Sequence, residues 1–62
     1  MTAKQDKLFN YYYNLMSEEW REGILNYEDF KMKNVNCSIK VNFKSGMWLR
    51  VYQKMNGEIE WY

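Results

Sequence analysis

Apolar and polar residues alternate without a break from Val35 to Phe43. Val35, Cys37, Ile39, Val41 and Phe43 are interleaved with Asn36, Ser38, Lys40 and Asn42. Successive strand residues point to opposite faces, so this period of two predicts a half-buried β-strand. Ser45-Gly46 and Asn56-Gly57 are turn signals that separate it from two further alternating runs. With three-residue loops, Lys44-Ser45-Gly46 and Met55-Asn56-Gly57, each closing on a glycine of positive φ, the apolar positions fall into register. Val41 then pairs with Leu49, Ile39 with Val51, Phe43 with Met47, Val51 with Trp61 and Gln53 with Ile59. Two-residue loops would set Phe43 against Trp48 and Val51 against Tyr62, and a one-residue slip sends a strand's whole apolar set to the wrong side. The pattern predicts an antiparallel meander of strands 35–43, 47–54 and 58–62. Its inner face is Val35, Cys37, Ile39, Val41, Phe43, Met47, Leu49, Val51, Ile59 and Trp61.

Residues 4–22, KQDKLFNYYYNLMSEEWRE, follow the helical period instead. At one residue per 100°, Leu8, Phe9, Tyr12, Tyr13, Leu15, Met16 and Trp20 fall within an arc about 160° wide. Tyr11 lies on the polar side, so the run YYY is divided between two environments. Thr2 with Gln5 three residues later forms a capping box at the start, and Gly23 marks the end. Residues 24–34, ILNYEDFKMKN, read as a short helix or turn that returns the chain to the sheet, although Phe30-Lys31-Met32-Lys33 alternates as a strand would. The expected fold is α+β: one amphipathic helix covering the inner face of a three-stranded sheet, with a short second helix or turn between them.

Composition narrows what such a domain can do. With 62 residues it is one domain and buries only roughly 60% of the surface of its unfolded chain. The single Cys37 excludes an internal disulfide, and one Cys without any His leaves no Cys/His zinc set. Aromatic residues, 19% of the chain, supply the core instead. Net charge is +1: residues 1–33 hold five cationic and six acidic side chains, residues 34–62 four and two. That is far from the basic field of a dedicated nucleic-acid binder. No apolar run approaches the roughly 20 residues of a membrane span, and MTAKQDKLFN lacks the apolar core of a secretory signal. The expected setting is cytoplasmic, without membrane, metal or cofactor. Catalysis has little support: there is no His, Cys37 falls on the inner face, and no Gly-rich phosphate loop is present.

The same register places Trp48, Arg50, Tyr52 and Lys54 on the outer face, beside Asn36, Ser38, Lys40 and Asn42 and opposite Glu58, Glu60 and Tyr62. Lys54 is set against Glu58, Tyr52 against Glu60 and Arg50 against Tyr62. Three readings of this face compete. It is a solvated sheet surface knit by cross-strand pairs and by Arg50 between Trp48 and Tyr52. It is a contact surface for a protein partner, including a second copy of the chain, with Trp48, Arg50, Tyr52 and Tyr62 as anchors and Lys40 and Lys54 at the rim. Or it stacks single-stranded nucleic acid, with Lys40, Arg50 and Lys54 on phosphates; Glu58 and Glu60 oppose this. A second, acidic surface of Glu18, Glu19, Glu22, Glu28 and Asp29 is more simply a solvated face.

The C-terminal run SGMWLRVYQKMNGEIEWY resembles the endings of small accessory proteins from phages and mobile elements of low-GC Gram-positive bacteria: compact, Asn- and Lys-rich chains that finish in an aromatic hairpin. The resemblance implies a protein that binds a host or phage macromolecule as an inhibitor or regulator, in the manner of anti-CRISPR and other anti-defence proteins.

Overall fold

Thr2 and Gln5 start the first helix as the spacing predicts. The Gln5 amide N–H donates to Thr2 Oγ1 at 3.3 Å and the Thr2 N–H donates to Gln5 Oε1 at 2.9 Å. The computed structural model describes all 62 residues, with helices α1 (Ala3–Leu15) and α2 (Glu18–Glu22) followed by strands β1 (Ile24–Asp29), β2 (Val35–Phe43), β3 (Trp48–Lys54) and β4 (Ile59–Trp61). The strands form one antiparallel sheet in chain order, and α1 packs on β2 and β3.

The helix expected over 4–22 is two helices. Met16 and Ser17 are extended, and Ser17 Oγ accepts from the Trp20 N–H at 3.2 Å. A serine that caps a new first turn competes with helix continuation, and Glu18 and Glu19 in that turn complement its dipole. Arg21 then bridges the break, donating from Nε to the Tyr13 carbonyl at 2.8 Å and from a terminal nitrogen to the Asn14 carbonyl at 3.2 Å. Both carbonyls belong to the last turn of α1, where acceptors outnumber intrahelical donors, and that of Tyr13 also accepts from the Met16 N–H at 3.2 Å. The break turns Leu15 out to solvent and brings the Trp20 ring within 5.3 Å of Phe43.

Residues 24–29 are a fourth strand, not the expected helix or turn. Ile24 pairs with Phe43 but Asn26 with Asn42, so Leu25 is an extra residue in a bulge. The bulge restores alternation beyond it: Tyr27 turns inward to stack on Phe9 at 3.9 Å, and Phe30 emerges on the outer face. Asn34 takes a left-handed conformation, φ 64°, in the turn before β2.

The expected pairing holds through the centre of the sheet. Val41 pairs with Leu49, Ile39 with Val51, Val51 with Trp61 and Gln53 with Ile59. Both loops close on glycines of positive φ, Gly46 and Gly57. The N-terminal end of β2 departs from it. Val35 pairs with Lys54 and Cys37 with Gln53, so a second bulge falls at Asn36, whose amide donates to Gln53 Oε1 at 3.0 Å. Asn36 is thereby withdrawn from the outer row. The core is Leu8 and Tyr12 from α1 with Ile39, Val41, Phe43 and Val51. Cys37, Leu49, Ile59 and Trp61 pack around it, whereas Met47 lies exposed beside its turn.

Candidate functional site on the outer sheet face

Alternation along β2 and β3 brings Lys40, Trp48, Arg50 and Tyr52 to the face away from α1, and β4 leads Tyr62 onto it. The expected cross-strand pairs are present. Arg50 and Tyr62 exchange backbone hydrogen bonds at 2.9 and 3.1 Å, and an Arg50 terminal nitrogen donates to the Tyr62 hydroxyl at 3.2 Å. Tyr52 donates its hydroxyl to Glu60 at 2.9 Å, a bond to a carboxylate that, with lesser burial, raises the phenol above its ordinary range. Lys54 lies 3.7 Å from both Glu58 and Glu60.

Arg50 is the centre of the face. Its guanidinium carbon lies 4.4 Å from the Tyr62 ring centroid, 5.2 Å from Trp48 and 5.6 Å from Phe30. The expected partner Tyr52 is not among these rings; it meets Tyr62 edge-on at 6.0 Å. Lys40 also approaches Trp48, with Nζ 4.7 Å from the ring centroid. Arg50 Nε is buried with no hydrogen-bond partner. An unpaired buried N–H costs about 1–3 kcal/mol, and here the guanidinium meets the three rings instead of an acceptor.

Phe30 is the member that sequence reasoning missed, because the Leu25 bulge hides the alternation that would have placed it outward. It packs 5.8 Å from Trp48 and narrows the face at the β1 side without closing it. Trp48 remains 42% and Tyr62 63% exposed. Ser38, expected on this face, is buried, and its hydroxyl donates to the Phe30 carbonyl.

The acidic residues do not form one surface. Glu18, Glu19 and Glu22 lie on α2, Glu28 accepts from Asn42 at 2.6 Å, and Asp29 accepts from the Gln5 amide at 2.5 Å. An open groove of about 690 Å³ between the start of α1 and the loop after β1 includes Cys37, but Gln5, Asp29 and Ser38 there satisfy one another. Burial pushes the Cys37 thiol up, against the weaker opposing influence of Lys4. No group of three or more Cys, Asp or Glu side chains converges on a metal position, and no helix is long and apolar enough to cross a membrane.

Fold and face together define a small α+β domain with an aromatic sheet surface that carries Lys40, Arg50 and Lys54 beside Glu58 and Glu60. No family model, curated protein or solved structure matches the chain.

Proposed function

We propose that this is a non-enzymatic binding module that takes a protein partner on its outer sheet face. The observation that carries the reading is Arg50, held among the rings of Phe30, Trp48 and Tyr62 with its Nε unpaired. Aromatic and arginine side chains already ordered in the free protein lose little conformational freedom on association. Trp48, Arg50, Tyr52 and Tyr62 are the anchors, and Lys40 and Lys54 form the rim. The absence of His and the raised Cys37 thiol support the non-enzymatic part. Charge supports protein over single-stranded nucleic acid, because Lys54 is engaged by two carboxylates on the same face. The resemblance of the C-terminal run to phage accessory proteins supports a narrower form: an inhibitor or regulator of a host macromolecule.

The test is affinity capture from a lysate of a low-GC Gram-positive bacterium, with wild type, Trp48→Ala and Arg50→Glu as baits. A protein recovered by wild type and lost by both variants is the expected result. Equal recovery by all three baits sinks the reading. Binding of single-stranded oligonucleotides that weakens steeply with salt would replace it with the nucleic-acid one. A sedimentation mass of a dimer, reverting to monomer in Trp48→Ala, would make the partner a second copy.

A further inference from the structure

The two edges of the sheet differ. β1 is interrupted by the Leu25 bulge, a feature that twists an edge away from further pairing. β4 has no bulge in its pairing with β3. Antiparallel pairs alternate between those that exchange backbone hydrogen bonds and those that do not. Arg50 with Tyr62 is an exchanging pair, and the Lys54 N–H donates to the Glu58 carbonyl at 2.7 Å. Ile59 and Trp61 therefore turn their N–H and C=O groups away from β3, to the open side. A groove lies on each side of this edge. The outer one, about 370 Å³, is lined by Tyr52, Ile59, Glu60, Trp61 and Tyr62. The inner one, about 270 Å³, runs under α1 between Leu8, Tyr11 and Ile59, with Lys4 and Lys7 at its mouth.

We infer that the β4 edge receives an extended segment of another protein as a fifth antiparallel strand, cationic at its outward residues and apolar at its inward ones. Charge complementarity selects this occupant. On the outer side a fifth strand lies directly against Glu58, Glu60 and Tyr62, while the cations sit one strand further in, Lys54 at 3.7 Å from both carboxylates and Arg50 against the Tyr62 ring. The inner side offers Leu8, Tyr11 and Ile59 for apolar side chains, and its lysines reject inward cations. A second copy of β4 is disfavoured in the two antiparallel registers that pair Ile59 with Trp61 or with itself. In the register that pairs Ile59 with the copy's Trp61, Glu60 lies directly against the copy's Glu60. The register centred on Ile59 sets Glu58 against Glu60 twice. Like charges directly opposite destabilise strand pairing.

This edge shares Tyr52 and Tyr62 with the outer-face site but not Lys40, Trp48 or Arg50, so shifts at Ile59 and Trp61 and shifts at Lys40, Trp48 and Arg50 tell the two proposals apart. The test is an NMR titration of isotope-labelled protein with short peptides. One alternates Lys and Val; a second alternates Glu and Val; a third is the Lys/Val peptide N-methylated at alternate residues, in both phases. The Lys/Val peptide is expected to shift the backbone amides of Ile59 and Trp61. The Glu/Val peptide should bind roughly tenfold more weakly, N-methylation in the phase that faces β4 should abolish binding, and the double variant Glu58→Lys, Glu60→Lys should reverse the charge preference. No shift at Ile59 and Trp61 with any peptide overturns the proposal. So does equal binding of both N-methylated forms, which would show that no backbone pairing occurs. Shifts confined to Lys40, Trp48 and Arg50 would also overturn it, while leaving the outer-face reading in place.

Discussion

Trp20 donates its indole N–H to the hydroxyl of Tyr12 at 2.8 Å, and Tyr12 itself has no solvent exposure. The bond fastens the short α2 to the last turn of α1, and the Tyr12 ring also meets Trp61 edge-on at 5.2 Å. Tyr12→Phe removes the acceptor but keeps the ring. Because Trp20 is exposed enough for water to replace the lost acceptor, the expected loss is about 1 kcal/mol. Tyr12→Ala empties the core and is expected to cost about 3–5 kcal/mol, on the scale of a small domain's entire stability. Urea denaturation of the two variants checks the ratio.

Gly46 and Gly57 have φ of 93° and 94°, and a Cβ at either would meet nothing within 4 Å. Substitution there is penalised by backbone conformation alone. Gly46→Ala and Gly57→Ala are each expected to cost about 1–2 kcal/mol, and the Asn variants less. Gly23 has φ −78° and is the counter-case. Gly23→Ala should be neutral or stabilising by up to about 1 kcal/mol, since it mainly restricts the unfolded chain. Thermal melts of the set separate the two behaviours.

Three tyrosines make the fold sensitive to alkali. A hydrogen bond to Asp6 raises Tyr27, burial raises Tyr12, and a hydrogen bond to Glu60 raises Tyr52. Each favours the protonated phenol in the folded state. Their stabilising contribution is complete below the ordinary tyrosine value of about 10 and is lost as pH rises through the higher folded-state values. Denaturation midpoints should therefore fall above about pH 10, together with the appearance of tyrosinate absorbance. Stability that stays level or rises across that range would contradict these assignments.

Cys37 should react slowly. Burial raises its thiol, so little thiolate is present at neutral pH. Alkylation by iodoacetamide is expected to be several-fold slower than that of an unfolded control, and to accelerate with pH. A rate equal to the control's would mean that the thiol is neither shielded nor raised.

Much of the sheet was legible because its alternation is regular where burial is deepest. Ile39, Val41, Leu49, Val51 and Trp61 admit only one register that keeps every apolar side chain under α1. The outer row of Lys40, Trp48, Arg50, Tyr52 and Lys54 followed from the same parity. What escaped were the places where the period is interrupted. At Leu25 one inserted residue puts Ile24 and Tyr27 out of alternation, concealing both β1 and the outward placement of Phe30. At Ser17 the apolar arc continues through Trp20, but a side-chain cap stops the backbone. Periodicity reports which face a residue prefers; it is blind to a local hydrogen bond that shifts the phase.

Gln5 has a consequence beyond starting a helix. Its Oε1 caps α1 through Thr2, while its Nε2 reaches both the Asp29 carboxylate on β1 and the Ser38 carbonyl on β2, at 2.5 and 3.3 Å. One amide thus joins three elements that are far apart in the chain. The first turn of a helix ordinarily frays on its own, yet here fraying would also strip β1 and β2 of a shared partner. Opening of that turn is thereby tied to the loss of two contacts with the sheet, which raises its cost above that of an ordinary fraying end.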